Sequence, residues 1–205
     1  MTRRLLLVFA TVLTVSIAFA SYRFVGLGLR TAFPDMAVHI DTVRLAFLAH
    51  VVAAPIALAA ATFQLMPRLR SRRPALHRWT GRVYGVAIVI AAIGALVMAP
   101  VSNGGPLASL GFGLLAILWL GTTAIGISRA RKRDIDAHRR WMTRSFALTF
   151  AAVTLRLELV VLTIAGLTYV EAIEILAWAS WVPNLLVAEW LLRRPRRLRV
   201  RAATA

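Results

Sequence analysis

Leu76-His77-Arg78-Trp79-Thr80-Gly81-Arg82 and Ala137-His138-Arg139-Arg140-Trp141-Met142-Thr143-Arg144 are two versions of one stretch, the second with one extra Arg. The first follows an Arg-rich run from Arg68 to Arg73 and the second follows one from Arg129 to Arg133. Both then open into a long apolar segment. Matching residue types at matching boundaries mark a duplicated membrane-entry element.

The chain has 205 residues, of which 60% are hydrophobic and 16% charged, and its mean hydropathy is +0.74. A soluble domain of this size has too little interior for that much apolar surface. The apolar residues also cluster in runs of about 20, the length of helix that crosses a hydrocarbon layer of roughly 30 Å. These runs fall at about 5–24, 41–65, 80–99, 107–128, 141–167 and 169–192, with a basic tail over 193–205. The sequence therefore predicts a single all-α domain, a polytopic integral membrane bundle of six transmembrane helices. Ala18-Phe19-Ala20 resembles a signal-peptide cleavage site, but the apolar run is longer than a signal core, which favours a retained helix.

The net charge of +17 is almost all Arg. Of 25 basic residues, 21 lie in the N-terminus, the two basic connections and the tail, as the positive-inside rule requires of cytoplasmic segments. That distribution argues against nucleic acid as partner. It predicts a multi-pass protein of a bacterial plasma membrane with both termini cytoplasmic. The bilayer and its anionic headgroups are the expected partners at the cytoplasmic face. Helices two plus three and four plus five then form hairpins of equal direction, a parallel repeat. Cys is absent, which removes thiol catalysis, iron–sulfur clusters and Cys-ligated zinc. No Walker, HExxH or dinucleotide motif is present, and no metal site is expected.

Ionisable residues at membrane depth face protein interiors and mark function. His50 and Glu158 both fall roughly 13 Å below the outer surface at 1.5 Å rise per residue, and Arg156 about 16 Å below it. A His50–Glu158 pair would balance charge. Pro55 and Pro183 free backbone carbonyls nearby, and Asn184 follows the second. His50, Arg156, Glu158 and Asn184 make the candidate intramembrane polar pocket. A purely structural polar network is the competing interpretation.

The second candidate group is the interfacial motif itself: His77, Arg78, Trp79, Arg82, His138, Arg139, Trp141 and Arg144. Trp and Arg are ordinary interfacial anchors. A b-type haem, ligated by His77 and His138 with His50 assisting and Arg on its propionates, is the alternative.

Three stretches resemble a family of predicted bacterial membrane proteins, domain of unknown function 2306. They are Pro67-Arg68-Leu69-Arg70 with Arg73-Pro74-Ala75-Leu76-His77-Arg78-Trp79-Thr80-Gly81-Arg82-Val83-Tyr84; His138 to Thr149; and Trp181-Val182-Pro183-Asn184 through Glu189-Trp190. The resemblance spans about 40–192 and implies an integral membrane protein; it carries no substrate. The leading functional expectation is small-molecule, lipid or proton-coupled transport or binding through the intramembrane pocket. A redox protein holding haem or quinone comes next, and a structural or assembly role third.

Overall fold

Apolar segments that must satisfy their own backbone hydrogen bonds in lipid become helices, and every element among the described residues is helical. A computed structural model describes residues 2–194, so the basic tail beyond Arg194 lies outside the described residues. Helix α1 is Thr2–Ala20, and short turns follow it: a 3-10 turn Ser21–Arg23, α2 Phe24–Leu27, α3 Leu29–Ala32, a 3-10 turn Pro34–Met36 and α4 Ala37–Thr42. The long elements are α5 Arg44–Gln64, α7 Pro74–Met98, α8 Gly105–Arg131 and α9 Ile135–Ile164, with α6 Pro67–Arg72 linking α5 to α7. Helices α10 Tyr169–Ala179 and α11 Val182–Arg193 close the chain. Five segments are long and apolar enough to cross a membrane, and a shorter apolar one covers Thr11–Leu27. The protein is an all-α polytopic membrane bundle.

Local chemistry sets the boundaries. Pro74 starts α7, where a missing N–H costs nothing. Asp134 caps α9 by accepting from the Ala137 N–H at 3.1 Å. Thr168 and Glu171 form a reciprocal capping box on α10. Gly166, with φ +93°, supplies the left-handed residue between α9 and α10. Three boundaries differ from expectation. Helices α7 and α9 begin six residues before Thr80 and Trp141, because Pro74 and the Asp134 cap fix the first turns; the His-Arg-Trp elements therefore lie inside the helices. The last span breaks between α10 and α11, where Pro183 removes a backbone donor and Trp181 leaves helical geometry at φ −125°.

Without a hydrophobic drive between helices in lipid, close packing of small residues holds them together. Helices α5 and α7 pair along an alanine seam, with Ala53, Ala57, Ala60 and Ala61 against Ala87, Ile88 and Ala91. A Cβ on Gly94 would sit 2.6 Å from the Ala46 carbonyl oxygen, so only Gly permits that approach. Helix α1 docks on α5 and α9 through Ala18, Leu58 and Val153. Large apolar side chains such as Leu45, Ile164 and Leu186 point outward, as a lipid-facing surface requires. The two basic connections fall at one end of the bundle, and the turns from Ser21 to Thr42 gather at the other.

Candidate functional site

The polar groups inside the bundle fall into two sets. In the first, Tyr84 of α7 shares hydrogen bonds with Ser145 Oγ at 2.6 Å and Thr149 Oγ1 at 2.8 Å, both on α9. Trp119 of α8 donates its indole N–H to Thr149 Oγ1 at 2.8 Å. Thr123 Oγ1 lies 2.7 Å from Ser145 Oγ and also donates to the Trp119 carbonyl. Thr149 donates to the Ser145 carbonyl. All five residues are buried, and all five side chains are satisfied. A satisfied buried network fixes register among α7, α8 and α9.

The second set surrounds a cavity of about 390 Å³ between that network and the turns at the far end. Its walls are largely apolar, with Phe47, Val51, Leu115 and Leu148 among them, and Trp119 and Thr149 face it from the satisfied network. Arg23, His39, His50 and Arg156 also line it, and among the described residues Asp35 is the one carboxylate residue in the lining. Arg156 donates to the Ala152 carbonyl at 2.7 Å and to Ser21 Oγ at 3.1 Å, and Ser21 Oγ donates to the Ile17 carbonyl at 2.8 Å. Among the described residues, no carboxylate forms an ion pair with Arg156. Arg23 donates to the Ala32 carbonyl at 2.5 Å and stacks 4.6 Å from the Phe33 ring centroid.

His50 Nδ1 lies 2.9 Å from the Ala91 carbonyl oxygen. A carbonyl only accepts, so Nδ1 carries the hydrogen, and in the neutral ring Nε2 keeps its lone pair. His39 Nδ1 and Ser180 Oγ are buried without a partner. Burial lowers the pKa of His39, and the neighbouring His50 lowers it further; His39 is therefore neutral at physiological pH. The cavity thus offers guanidinium donors, one imidazole acceptor and unspent polar atoms in an apolar container. The turns at that far end line it through Arg23, Phe33, Asp35 and His39. Asn103 ties them down by donating to the Asp35 carbonyl at 2.6 Å, and Tyr169 donates to Met36 Sδ at 3.1 Å.

Of the expected pocket residues, His50 and Arg156 reach this cavity. Glu158 does not line it and forms no ion pair with His50, whose Nδ1 is taken by the Ala91 carbonyl; Glu158 is half-buried, with Oε2 unpartnered. Asn184 donates to Thr154 Oγ1 at 2.7 Å and to the Ser180 carbonyl at 3.0 Å, tying α11 to α9 across the helix break. Pro55 sits within α5 and leaves the Val51 carbonyl, four residues earlier, without its helical donor; the next carbonyl, that of Val52, accepts the Tyr22 hydroxyl at 2.7 Å. Arg23 and His39 were not in the expected pocket. Both precede α5, and only the folding back of the turns from Ser21 to Thr42 brings them in.

The interfacial motif is used differently in its two copies. In the first, Gln64 of α5 donates to the His77 carbonyl at 2.8 Å and to Thr80 Oγ1 at 2.5 Å, and Trp79 and Arg82 are exposed. In the second, His138 Nδ1 donates to the Gly126 carbonyl at 2.8 Å. Arg144 grips Glu189 through Nε at 2.5 Å and Nη2 at 3.0 Å, and stacks on Trp141 at 4.8 Å. Arg139 pairs at the surface with Asp136 at 3.7 Å, and Arg78 is exposed. Neither His77 nor His138 lines the cavity that holds His50. Among the described residues no group of three His, Cys, Asp or Glu is placed to hold a metal.

No curated protein and no solved structure matches the chain. A family model, that of the predicted membrane proteins DUF2306, matches residues 47–192. The matched stretch starts inside α5 and contains the rest of both hairpins with His50 and Arg156, while Arg23 and His39 precede it. With its duplicated His-Arg-Trp helices and its membrane-spanning bundle, the chain belongs to the DUF2306 family of predicted membrane proteins.

Proposed function

We propose that the protein binds a small amphipathic acid in the cavity between α5, α8 and α9, with the acid's apolar body against the alkyl and aromatic walls. The observation that carries this reading is Arg156, a guanidinium at membrane depth whose hydrogen bonds go to neutral oxygens and not to a carboxylate. An uncompensated charge there is costly, and a bound carboxylate would offset that cost with charge-assisted hydrogen bonds. Arg23 adds a second guanidinium and His50 Nε2 an acceptor. Glu158 stands apart from the cavity, so we assign it no part in binding and propose no proton coupling through it. Mass analysis of small molecules that co-purify with the protein tests the idea. The wild type should carry organic acids that Arg156→Gln lacks; neutral lipids alone in both preparations would end it.

A second reading, b-type haem, now rests on His50. Its Nδ1–H is fixed by Ala91, the arrangement that orients axial histidines. A Soret band lost in His50→Ala would favour haem over the acid, and a colourless preparation grown with ample haem would dismiss it. We also infer from the charge distribution that the basic end faces the cytoplasm of a bacterial plasma membrane. A tag at Gly104 should then be accessible only from outside, and labelling of it only from inside would reverse the topology.

A further inference from the structure

The two copies of the duplicated motif place an Arg three residues after the Trp, Arg82 after Trp79 and Arg144 after Trp141. Arg144 has its counter-charge inside the protein, the Glu189 carboxylate of α11. No described carboxylate forms an ion pair with Arg82, which lines a groove of about 430 Å³ on the outer flank of the α5–α7 pair. The groove arises from the alanine seam: Ala53 and Ala87 form its floor, while Val52 and Ile56 on one side and Val86 and Ile90 on the other form its rims. Trp79, 61% exposed, stands beside Arg82 at the mouth.

From Arg82 to Ile90 the groove runs about 12 Å at 1.5 Å rise per residue. One leaflet of the hydrocarbon layer is about 15 Å deep. The recess therefore starts at the basic interface and ends near the bilayer midplane, the extent of one acyl chain. An aromatic and an Arg at its mouth are the residues that meet a headgroup.

We propose that this groove is a lipid site holding one acyl chain of an anionic phospholipid, whose phosphate takes at Arg82 the place that Glu189 takes at Arg144. The chain fills the recess and restores the dispersion contacts that the alanines leave open. This site is independent of the cavity around Arg156.

The test uses full-length protein reconstituted from equal parts phosphatidylglycerol and phosphatidylcholine, with retained lipid measured by native mass spectrometry. Wild type should retain one phosphatidylglycerol per chain, enriched roughly fivefold over phosphatidylcholine, as one basic contact predicts. Arg82→Gln should abolish that preference. Ile56→Trp, which fills the groove and leaves the charge, should release the retained lipid. Arg133→Gln, at the basic end but outside the groove, should change neither. Excess inorganic phosphate should not displace the lipid, because the acyl chain anchors it. Unchanged preference in Arg82→Gln, equal loss in Arg133→Gln, retention in Ile56→Trp or displacement by phosphate would each overturn the proposal.

Discussion

Tyr84, Trp119, Thr123, Ser145 and Thr149 spend their hydroxyls and indole N–H on one another or on backbone carbonyls. One to two helical turns further along α9, Ala152 and Arg156 belong to a neighbourhood built in the opposite way. There, among the described residues, a guanidinium has only neutral partners, and His39 Nδ1 and Ser180 Oγ have none. The two regions share a wall, since Trp119 and Thr149 face the cavity. Burial alone therefore does not identify a binding site. Satisfied buried groups fix helix register; unsatisfied ones beside an open volume are available to a ligand. The same contrast separates Arg144, held by Glu189, from Arg156.

The most damaging change should be Gly94→Val. Its Cβ would meet the Ala46 carbonyl oxygen at 2.6 Å and the His50 backbone nitrogen at 3.1 Å, forcing α5 and α7 apart. About 3 kcal/mol of stability should be lost, the upper range for overpacking, as a lower thermal midpoint in detergent. It would strike both regions, and an unchanged midpoint would refute the close α5–α7 seam. Tyr84→Phe removes a hydroxyl that two partners share and should cost about 1–2 kcal/mol. It should leave ligand binding intact; lost binding would show that the network belongs to the site. Glu189→Gln should cost about 1–2 kcal/mol, because Arg144 loses a charge-assisted partner at a half-buried position. No change in unfolding would mean that the pair is solvated and idle. The smallest effect concerns His39. Its lowered pKa means that the unfolded chain binds the proton first as pH falls below about 6.5. Stability should therefore decline as pH drops from that value towards the lower folded pKa. A thermal midpoint measured against pH should show this slope, and His39→Gln should flatten it.

Much of the fold was legible because the bilayer imposes a length and a charge rule on sequence. Runs of apolar residues between Arg clusters gave the spans, and His50 and Arg156 stood out as charges that lipid would reject. The break at Trp181 was less visible, since Pro183 is compatible with either a kinked or a split helix until the packing of α10 and α11 is known. The His50–Glu158 pairing failed because equal depth does not fix the direction in which a helix face points. Arg23 and His39 were unreadable as site residues for a related reason: they lie among short turns whose fold depends on Asn103 and Tyr169, far along the chain. The Tyr84 network was equally hidden, as scattered Ser, Thr and Trp in helices carry no spacing that announces mutual contact.

The central claim is that Arg156 awaits an anion. It is tested most directly by measuring decanoate affinity for the purified protein, with decanol as the neutral analogue, in wild type, Arg156→Gln and Arg156→Lys. The account predicts that wild type binds decanoate over decanol and that Arg156→Gln weakens decanoate about tenfold or more, as loss of a charge-assisted contact of ~1.5–3 kcal/mol implies. Arg156→Lys should retain part of the preference, and the unliganded midpoint of Arg156→Gln should be equal to or above that of wild type, because an uncompensated buried charge is gone. Decanoate affinity unchanged in a folded Arg156→Gln protein would contradict it.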